Sequence, residues 1–325
     1  MSNQDAPTTD LSKTQEIQRN WERDVLERLA FSALKEQRRA RRWSIFFKIL
    51  FAAYLLALLL LYLPNGLSAP GITAPHTALV NIEGIIGADS FANAENIKKG
   101  LKAAFENEHI AGLILHINSP GGSPVQASQI NDQVHQLRKK HPDIPIHAVI
   151  TDICASGGYY IAVAADQIYA DKASIVGSIG ALINSFGFVE AMEKLGIERR
   201  LFTAGDYKGF LDPFSPMKEF EAQHIQKMLD NIQKQFIQVV KDNRGDRLKN
   251  DSSLFTGLVW TGEQAIDLGL IDGLGNSSYV AREIIGAEKI IDYTPKPKLL
   301  DRFSRQLGAT FANMLSGFTL AASTR

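Results

Sequence analysis

The chain has 325 residues, of which 45% are hydrophobic and 22% charged, and its 35 basic residues balance its 35 acidic ones. This composition excludes a disordered chain, and the zero net charge gives no global attraction to nucleic acid. The single cysteine, Cys154, excludes a disulfide bond within the chain.

A polar segment, residues 1–42, ends in a basic run and is followed by a strongly apolar segment. The stretch IFFKILFAAYLLALLLLYL, residues 45–63, carries one charge, Lys48, in nineteen residues. As a helix it would be about 29 Å long, close to the thickness of the hydrocarbon core of a bilayer. We therefore expect residues 43–63 to form an uncleaved transmembrane anchor; the alternative is a buried helix of a soluble protein.

The charges around this apolar segment predict its orientation. No lysine or arginine occurs between Leu50 and Ile97, whereas basic residues crowd the other side. Because basic flanks stay in the cytoplasm, the N-terminus is expected there and the C-terminal part outside, in the periplasm or cell exterior of a bacterium. The next segment, residues 64–76, is rich in proline and glycine and indicates a linker. The basic residues are Lys35, Arg38, Arg39, Arg41, Arg42 and Lys48.

From residue 77 onward, short apolar segments rich in β-branched residues alternate with amphipathic ones. Strands separated by helices of this length predict parallel βαβ units whose sheet is covered on both faces. We therefore predict one α/β domain over residues 77–295. The predicted strands are 77–86, 111–119 and 145–153, and the predicted helices are 91–107 and 124–139, the latter with Val125, Ile130, Val134 and Leu137 on one face.

Three features are predicted nearer the C-terminus. A long helix at 217–244 carries an apolar stripe that is typical of a core or a subunit contact. Thr261 and Gln264 have the spacing of a capping box at the start of a helix. Residues 296–325 form an amphipathic tail, for which packing on a partner is favoured over membrane contact. The stripe of the long helix consists of Phe220, Ile225, Leu229, Ile232, Phe236 and Val240.

Ser156 lies in the stretch ITDICASGGYYIAVAADQIYA, between an apolar run and two glycines. It is either a turn residue or a nucleophile at the junction of a strand and a helix. A serine hydroxyl is a weak nucleophile, so the second interpretation requires a base and an oxyanion site. Of the seven histidines only His224 follows Ser156, and its place in the long helix indicates a packed or solvated side chain.

Two other stretches could supply the missing groups. Lys208, in TAGDYKGFLDPFSPM, has apolar neighbours that could desolvate it and favour the neutral amine, although a surface charge is the alternative. In INSPGGSP, residues 117–124, the consecutive glycines Gly121 and Gly122 can turn sharply and aim their N–H groups outward, as an oxyanion hole requires. A simple βα turn is the alternative there.

The motifs NSPGG, ASGGYY and GDYKGFLDPFSP occur in this order, together with VNIEGII, DKASIVGSIG and LVWTGEQAIDLGLID. In this combination the chain resembles the signal peptide peptidase A (SppA) family of serine proteases, peptidase family S49, in its short single-repeat form with an N-terminal membrane anchor. The resemblance covers roughly residues 77–275. It implies an α/β, ClpP/crotonase-like fold of βαβ units, here preceded by one transmembrane helix, and neither a metal nor another cofactor.

The resemblance also implies the roles of five residues. Ser156 resembles the nucleophile of a Ser/Lys dyad and Lys208 its general base. The N–H groups of Gly122 and Gly157 resemble the two donors of the oxyanion hole. Ser178, in GSIG, resembles the hydroxyl that orients the lysine.

The implied function is that of a membrane-anchored endopeptidase that degrades signal peptide remnants and similar membrane-derived peptides. The resemblance further implies a ring-like homo-oligomer, in which a site can draw on neighbouring subunits, at the bacterial inner membrane. Two alternatives stay open. One is a crotonase-like acyl-CoA enzyme, which would need no acylatable serine, and the other is a non-catalytic membrane scaffold that kept the fold.

Overall fold

The computed structural model describes Trp21, residues 35–58 and residues 74–296. The chain divides into two units, Met1–Gly71 and Ile72–Arg325. In the first unit, helix α1 covers residues 35–58 and its side chains are almost all exposed. Within the described residues, no helix combines the length and the apolar character needed to cross a bilayer. Residues 59–63 of the predicted anchor, most of the predicted linker and the predicted tail after Lys296 lie outside the described residues.

An eight-stranded sheet forms the centre of the second unit, with the strand order β6-β5-β3-β2-β1-β8 and with β4 pairing β3 and β7. Among the described strand pairs, only β5 with β6 is antiparallel. The predicted α/β fold with parallel βαβ units is therefore confirmed. The strands are β1 His76–Glu83, β2 Ile110–Ser119, β3 Ile146–Ala155, β4 Gln167–Ala170, β5 Ile175–Gly177, β6 Val259–Thr261, β7 Gly273–Leu274 and β8 Ile290–Asp292.

The helices agree with the amphipathic segments of the sequence. The predicted capping box is present, because Thr261 Oγ1 accepts from Gln264 N and Gln264 Oε1 accepts from Thr261 N. The helices are α2 Ala94–Phe105, α3 Pro124–Lys140, α4 Gly157–Ala162, α5 Val189–Lys194, α6 Glu219–Arg244, α7 Gly262–Asp267 and α8 Ser277–Tyr279. Two short 3-10 helices, Gly245–Arg247 and Ser252–Phe255, and a π-helical turn, Val280–Ile285, complete the described secondary structure.

The two faces of the sheet carry apolar clusters of different size. Alternate residues of a strand point to opposite faces, and on β2 Leu115 packs in the main core, whereas Ile114 packs in a smaller cluster on the other face. The main core lies beneath α2, α3 and α4. The smaller cluster includes Val280 and Ala281 of the segment after α8. The apolar cluster on the second face is therefore the smaller of the two.

One expectation about an apolar stripe is wrong for the single chain, and another is met in part. Val125 is 62% exposed, although it was expected to share a face with Ile130. Five helical residues turn through about 500°, which places Val125 about 140° away from Ile130 around α3. On α6 the end near Val240 is buried, but Phe220 is 50% exposed. Ile225 and Leu229 are partly buried, so within the described part of the chain the stripe is most exposed at its start, where a subunit contact stays a prediction.

Candidate active site

Ser156 occupies the turn between β3 and α4. Its backbone has φ 51° and ψ −122°, a region that residues with a side chain rarely adopt. The turn is held by hydrogen bonds from Ser156 N to Gly177 O and from Tyr160 N to Ser156 O, both 2.9 Å long. The predicted position of Ser156, where a strand passes into a helix, is what the structure shows.

Positive φ angles mark three segments that the sequence patterns had also singled out. Among the described residues, the non-glycine residues with positive φ are Ser156, Ser178 and Leu211, and Leu211 follows Lys208 by three positions. Such conformations cost of order 1–3 kcal/mol each and concentrate at functional sites. Their distribution is therefore an indication of function that is independent of the motifs.

The orientation of the Gly122 amide follows from one hydrogen bond. Ile86 N donates to Gly121 O at 2.9 Å, and Ser123 N donates to Ile86 O at 2.8 Å. In a planar trans peptide the C=O and the following N–H point in opposite directions, so Gly122 N–H points away from Ile86. Neither Gly122 N nor Gly157 N has a hydrogen-bond acceptor among the described residues.

The two free amides lie side by side next to Ser156. A Cβ atom placed on Gly157 would lie 3.3 Å from Gly122 N. A Cβ atom placed on Gly121, where φ is +100°, would lie 2.7 Å from both Ser156 Cβ and Gly157 N. Only glycine fits at position 121. Two unpaired N–H donors beside a serine hydroxyl form the arrangement that an oxyanion hole requires.

Ser119 supports this loop, although the sequence patterns assigned it no role beyond a bend. Its side chain is fully buried. Its hydroxyl donates to Gly84 O at 2.6 Å and accepts from Gly121 N at 3.1 Å. Ser119 therefore ties the end of β1 to the glycine loop and helps to fix the peptide that carries Gly122 N–H. The only signal in the sequence was its place inside the NSPGG motif.

Ser178 is brought next to Ser156 by the pairing of β3 with β5. Ala155 is in register with Gly177, so the two serines follow each other at the ends of neighbouring strands. Ser178 is half-buried, and its N–H donates to Leu258 O at 2.7 Å. Its hydroxyl makes no hydrogen bond to Lys208 in the described structure.

Lys208 lies on an exposed segment, residues 181–218, which we call the lysine arm. The arm is anchored to α6 beside Lys208, since Tyr207 stacks on Phe220 at 4.6 Å between ring centroids. Lys208 is exposed, and none of the described hydrogen bonds joins its Nζ to Ser156 Oγ. The single chain thus brings together Ser156, Gly122, Gly157 and Ser178 but not Lys208, and the desolvation expected for the lysine is not present within it.

The contacts of His224 and Cys154 indicate packing roles and not catalytic ones. His224 stacks on Phe220 at 6.0 Å and meets the edge of Phe210 at 5.7 Å, in agreement with a packed histidine. Cys154 is fully buried, and burial raises the pKa of its thiol, in agreement with a small core residue. The described residues contain no group of three or more His, Cys, Asp or Glu side chains placed to hold a metal ion.

Comparison with known proteins places this chain in a family. The model of a family described as peptidase family S49 matches residues 138–290, which include Ser156, Ser178 and Lys208. A protein of Synechocystis sp. (strain ATCC 27184 / PCC 6803 / Kazusa), named as a candidate protease, is 31% identical over 206 residues, which are 63% of this chain and 73% of that protein. The chain belongs to peptidase family S49.

Other relatives of this S49 chain are longer. A candidate signal peptide peptidase SppA of Enterococcus faecium is 30% identical over 202 residues, 62% of this chain and 58% of that protein. A protein of Brucella abortus (strain 2308) named Na(+)/H(+) antiporter NhaA is 42% identical over 203 residues, 62% of this chain but 27% of that protein. The S49 chain thus spans less than two thirds of either relative, and the antiporter name carries no argument about it.

Replacing Ser156 with glycine is expected to raise the free energy of unfolding by about 1 kcal/mol, because glycine adopts positive φ without strain. Chemical denaturation of the two proteins measures the difference. Ser156→Ala is the matched control, since alanine keeps the Cβ atom and should leave the stability nearly unchanged. A glycine variant no more stable than the alanine variant would show that the turn is not strained.

Proposed function

We propose that this S49 chain is a serine endopeptidase whose nucleophile is Ser156. The observation that carries the proposal is the strained turn at Ser156 beside the unpaired N–H groups of Gly122 and Gly157. A bare turn has no need for the N–H group of a buried residue such as Gly157 to lack an acceptor, since buried backbone groups are normally paired; Gly122 is exposed, and its free N–H points away from Ile86 beside the same serine. Membership of a peptidase family supports the same chemistry.

The reaction is acyl transfer to serine and then to water. Lys208, as the neutral amine, takes the proton of Ser156 Oγ while the oxygen attacks the peptide carbonyl carbon. The negative charge that develops on the carbonyl oxygen is held by Gly122 N–H and Gly157 N–H. Loss of one such donor typically lowers kcat by a factor of about 100 to 1,000. The leaving amine receives the proton from Lys208, and water then hydrolyses the acyl-enzyme.

Ser178 completes the proposed dyad as the group that orients Lys208. Its place beside Ser156 supports this role, because the Ser178 hydroxyl can accept a hydrogen bond from the amine of a lysine that is positioned next to Ser156 Oγ. The positive φ of 53° at Ser178 indicates that this position is held by its surroundings and not by its own preference.

The exposed lysine arm supports a homo-oligomer. Phe202 is 92% exposed, Leu182 82%, Leu195 73% and Phe186 71%, and all four lie on the arm. Large exposed apolar surfaces mark interaction sites. We propose that a second copy of the chain covers this surface in a ring, that the association desolvates Lys208, and that Lys208 thereby reaches the Ser156 of a neighbouring copy.

The proposed substrates are signal peptide remnants and similar membrane-derived peptides, cleaved at the outer face of the bacterial inner membrane. Residues 43–63 are the proposed anchor. The aromatic residues at the start of the apolar segment support this location: Trp43 stacks on Phe47 at 5.7 Å, and both are exposed. Tryptophan is enriched where a helix leaves the bilayer, and the basic residues before it fit the cytoplasmic side.

The two other functions fit the molecule less well. An acyl-CoA enzyme of the crotonase type would use the two adjacent N–H groups of Gly122 and Gly157 but would not need a strained serine beside them. A non-catalytic scaffold would not be expected to keep both unpaired amides next to that serine. Both alternatives predict that Ser156 can be replaced without loss of function, and this is what the first experiment measures.

Ser156→Ala and Lys208→Ala are each expected to lower kcat for cleavage of a signal-peptide-like substrate by a factor of about 1,000 or more, because each removes one half of the dyad. A fluorophosphonate probe should label the wild type and not Ser156→Ala. His224→Ala and the exposed Lys227→Ala are matched controls that should keep nearly full activity. Cleavage at the wild-type rate by Ser156→Ala would rule out the proposed nucleophile.

Mixing the two inactive variants tests whether Lys208 acts on a neighbouring copy. A random equal mixture should regain roughly a quarter of wild-type activity. A site is intact only where a Lys208→Ala chain supplies Ser156 and its neighbour, a Ser156→Ala chain, supplies Lys208, and each of these conditions is met about half of the time. Co-purification of differently tagged chains confirms that they assemble. Mixed assemblies that form but stay inactive would show that Lys208 serves its own chain.

The orientation predicts which residues are accessible from outside the cell. Protease added to spheroplasts should degrade the domain that contains Ser156 and should spare an epitope within residues 1–42, because the positive flank stays in the cytoplasm. Lysed spheroplasts are the control, in which both parts should be degraded. Loss of the N-terminal epitope in intact spheroplasts, with the domain protected, would reverse the proposed topology.

A further inference from the structure

A cavity of about 640 Å³ lies on the second face of the sheet. It is bounded by the carboxyl-terminal parts of β3 and β4 and by the turn between β7 and α8. In sheets with parallel strands, ligands bind preferentially at the carboxyl ends of strands, and this volume is in the range of small-molecule sites. Ser156 immediately precedes α4, which packs in the core of the opposite face, and it is not among the residues that line the cavity.

His116 in the lining of the cavity is oriented by a chain of hydrogen bonds. Its Nδ1 is 2.7 Å from Asn81 Oδ1, and Asn81 Nδ2 donates to Thr294 Oγ1 at 3.1 Å. Because Asn81 presents its oxygen, Nδ1 carries the proton and Nε2 is left as an acceptor. Nε2 has no hydrogen-bond partner among the described residues. Burial lowers the pKa of His116, which favours the neutral ring, whose Nε2 can accept a hydrogen bond.

Charges of both signs line the cavity without pairing. Asp152 accepts a hydrogen bond from Asn118 on one oxygen, Oδ2, at 2.9 Å, which leaves Oδ1 free. Lys172 forms no ion pair with Asp152, Asp171 or any other described carboxylate. Ser277 also lines the cavity, but its Oγ is buried within the chain and is not open to a ligand in the cavity.

We propose that this cavity binds a small zwitterion, either a free amino acid or a short peptide. Its ammonium group is held by Asp152 Oδ1 and His116 Nε2, and its carboxylate by Lys172 Nζ. The two unpaired acceptors and the unpaired ammonium group of Lys172 thereby each gain a partner of complementary charge or hydrogen-bonding type. Peptide hydrolysis releases molecules of this class, but the assignment depends only on the lining of the cavity.

The test is equilibrium binding of L-alanyl-L-alanine and of L-alanine to the full chain carrying Ser156→Ala, so that no turnover occurs. Saturable binding is expected, and Asp152→Asn and Lys172→Met should each weaken it by about tenfold or more, since each removes one charged partner. N-acetylation or amidation of the dipeptide should have a comparable effect. Tighter binding of the dipeptide would identify a peptide site, and tighter binding of alanine an amino-acid site.

The controls separate this cavity from the proposed active site. Asp143→Asn and Lys140→Met remove exposed charges outside the cavity and should leave the affinity unchanged. Circular dichroism of the variants verifies that they are folded. Absence of saturable binding would overturn the proposal, as would binding whose affinity is unchanged in both cavity variants. Because the measurement uses the Ser156→Ala chain, neither result depends on whether Ser156 is the nucleophile.

Discussion

The hydrogen bond from Ile86 N to Gly121 O is the interaction on which the proposed chemistry depends. It fixes the plane of one peptide group, and since that peptide is planar, it also fixes the direction of Gly122 N–H. The bond from Ser123 N to Ile86 O and the buried hydroxyl of Ser119 hold the same loop from either side. An oxyanion donor that is positioned by backbone bonds needs no rearrangement when charge develops, which is the property that makes such donors effective.

The proposed catalytic groups differ in how firmly the single chain holds them. Ser156 and Gly122 lie in the short connections that join the central strands β3 and β2 to the helices that follow them, and Gly157 is the first residue of α4. Lys208 belongs to an exposed arm whose local contacts are aromatic, such as Tyr207 on Phe220. A nucleophile on the rigid scaffold and a base on an arm with apolar surface agree with a site that becomes complete only on association. This difference also explains why a single chain shows the complete fold but does not bring Lys208 next to Ser156.

The sequence predicted those parts of the site whose requirements are local. Gly121 and Gly122 were recognised because a sharp turn after a strand needs glycine, and Ser156 because a strand passes into a helix at that point. The Lys208 position relative to Ser156 was not predictable, because it depends on contacts between distant segments or between copies. Ser119 was missed since a buried serine that bonds to a loop has no distinctive pattern. Val125 was misplaced because its distance of five residues from Ile130 does not match the helical period.

The helix that follows Ser156 is anchored deep in the protein. Tyr159 is fully buried, and its hydroxyl donates to Leu270 O at 2.7 Å. The unfavourable backbone at Ser156 is therefore held between two fixed points, the end of β5 on one side and the core contact of Tyr159 on the other. The folded domain maintains this geometry by itself, so the hydroxyl is in place before a peptide arrives and remains there after the products leave. Successive rounds of cleavage would then require no rebuilding of the turn.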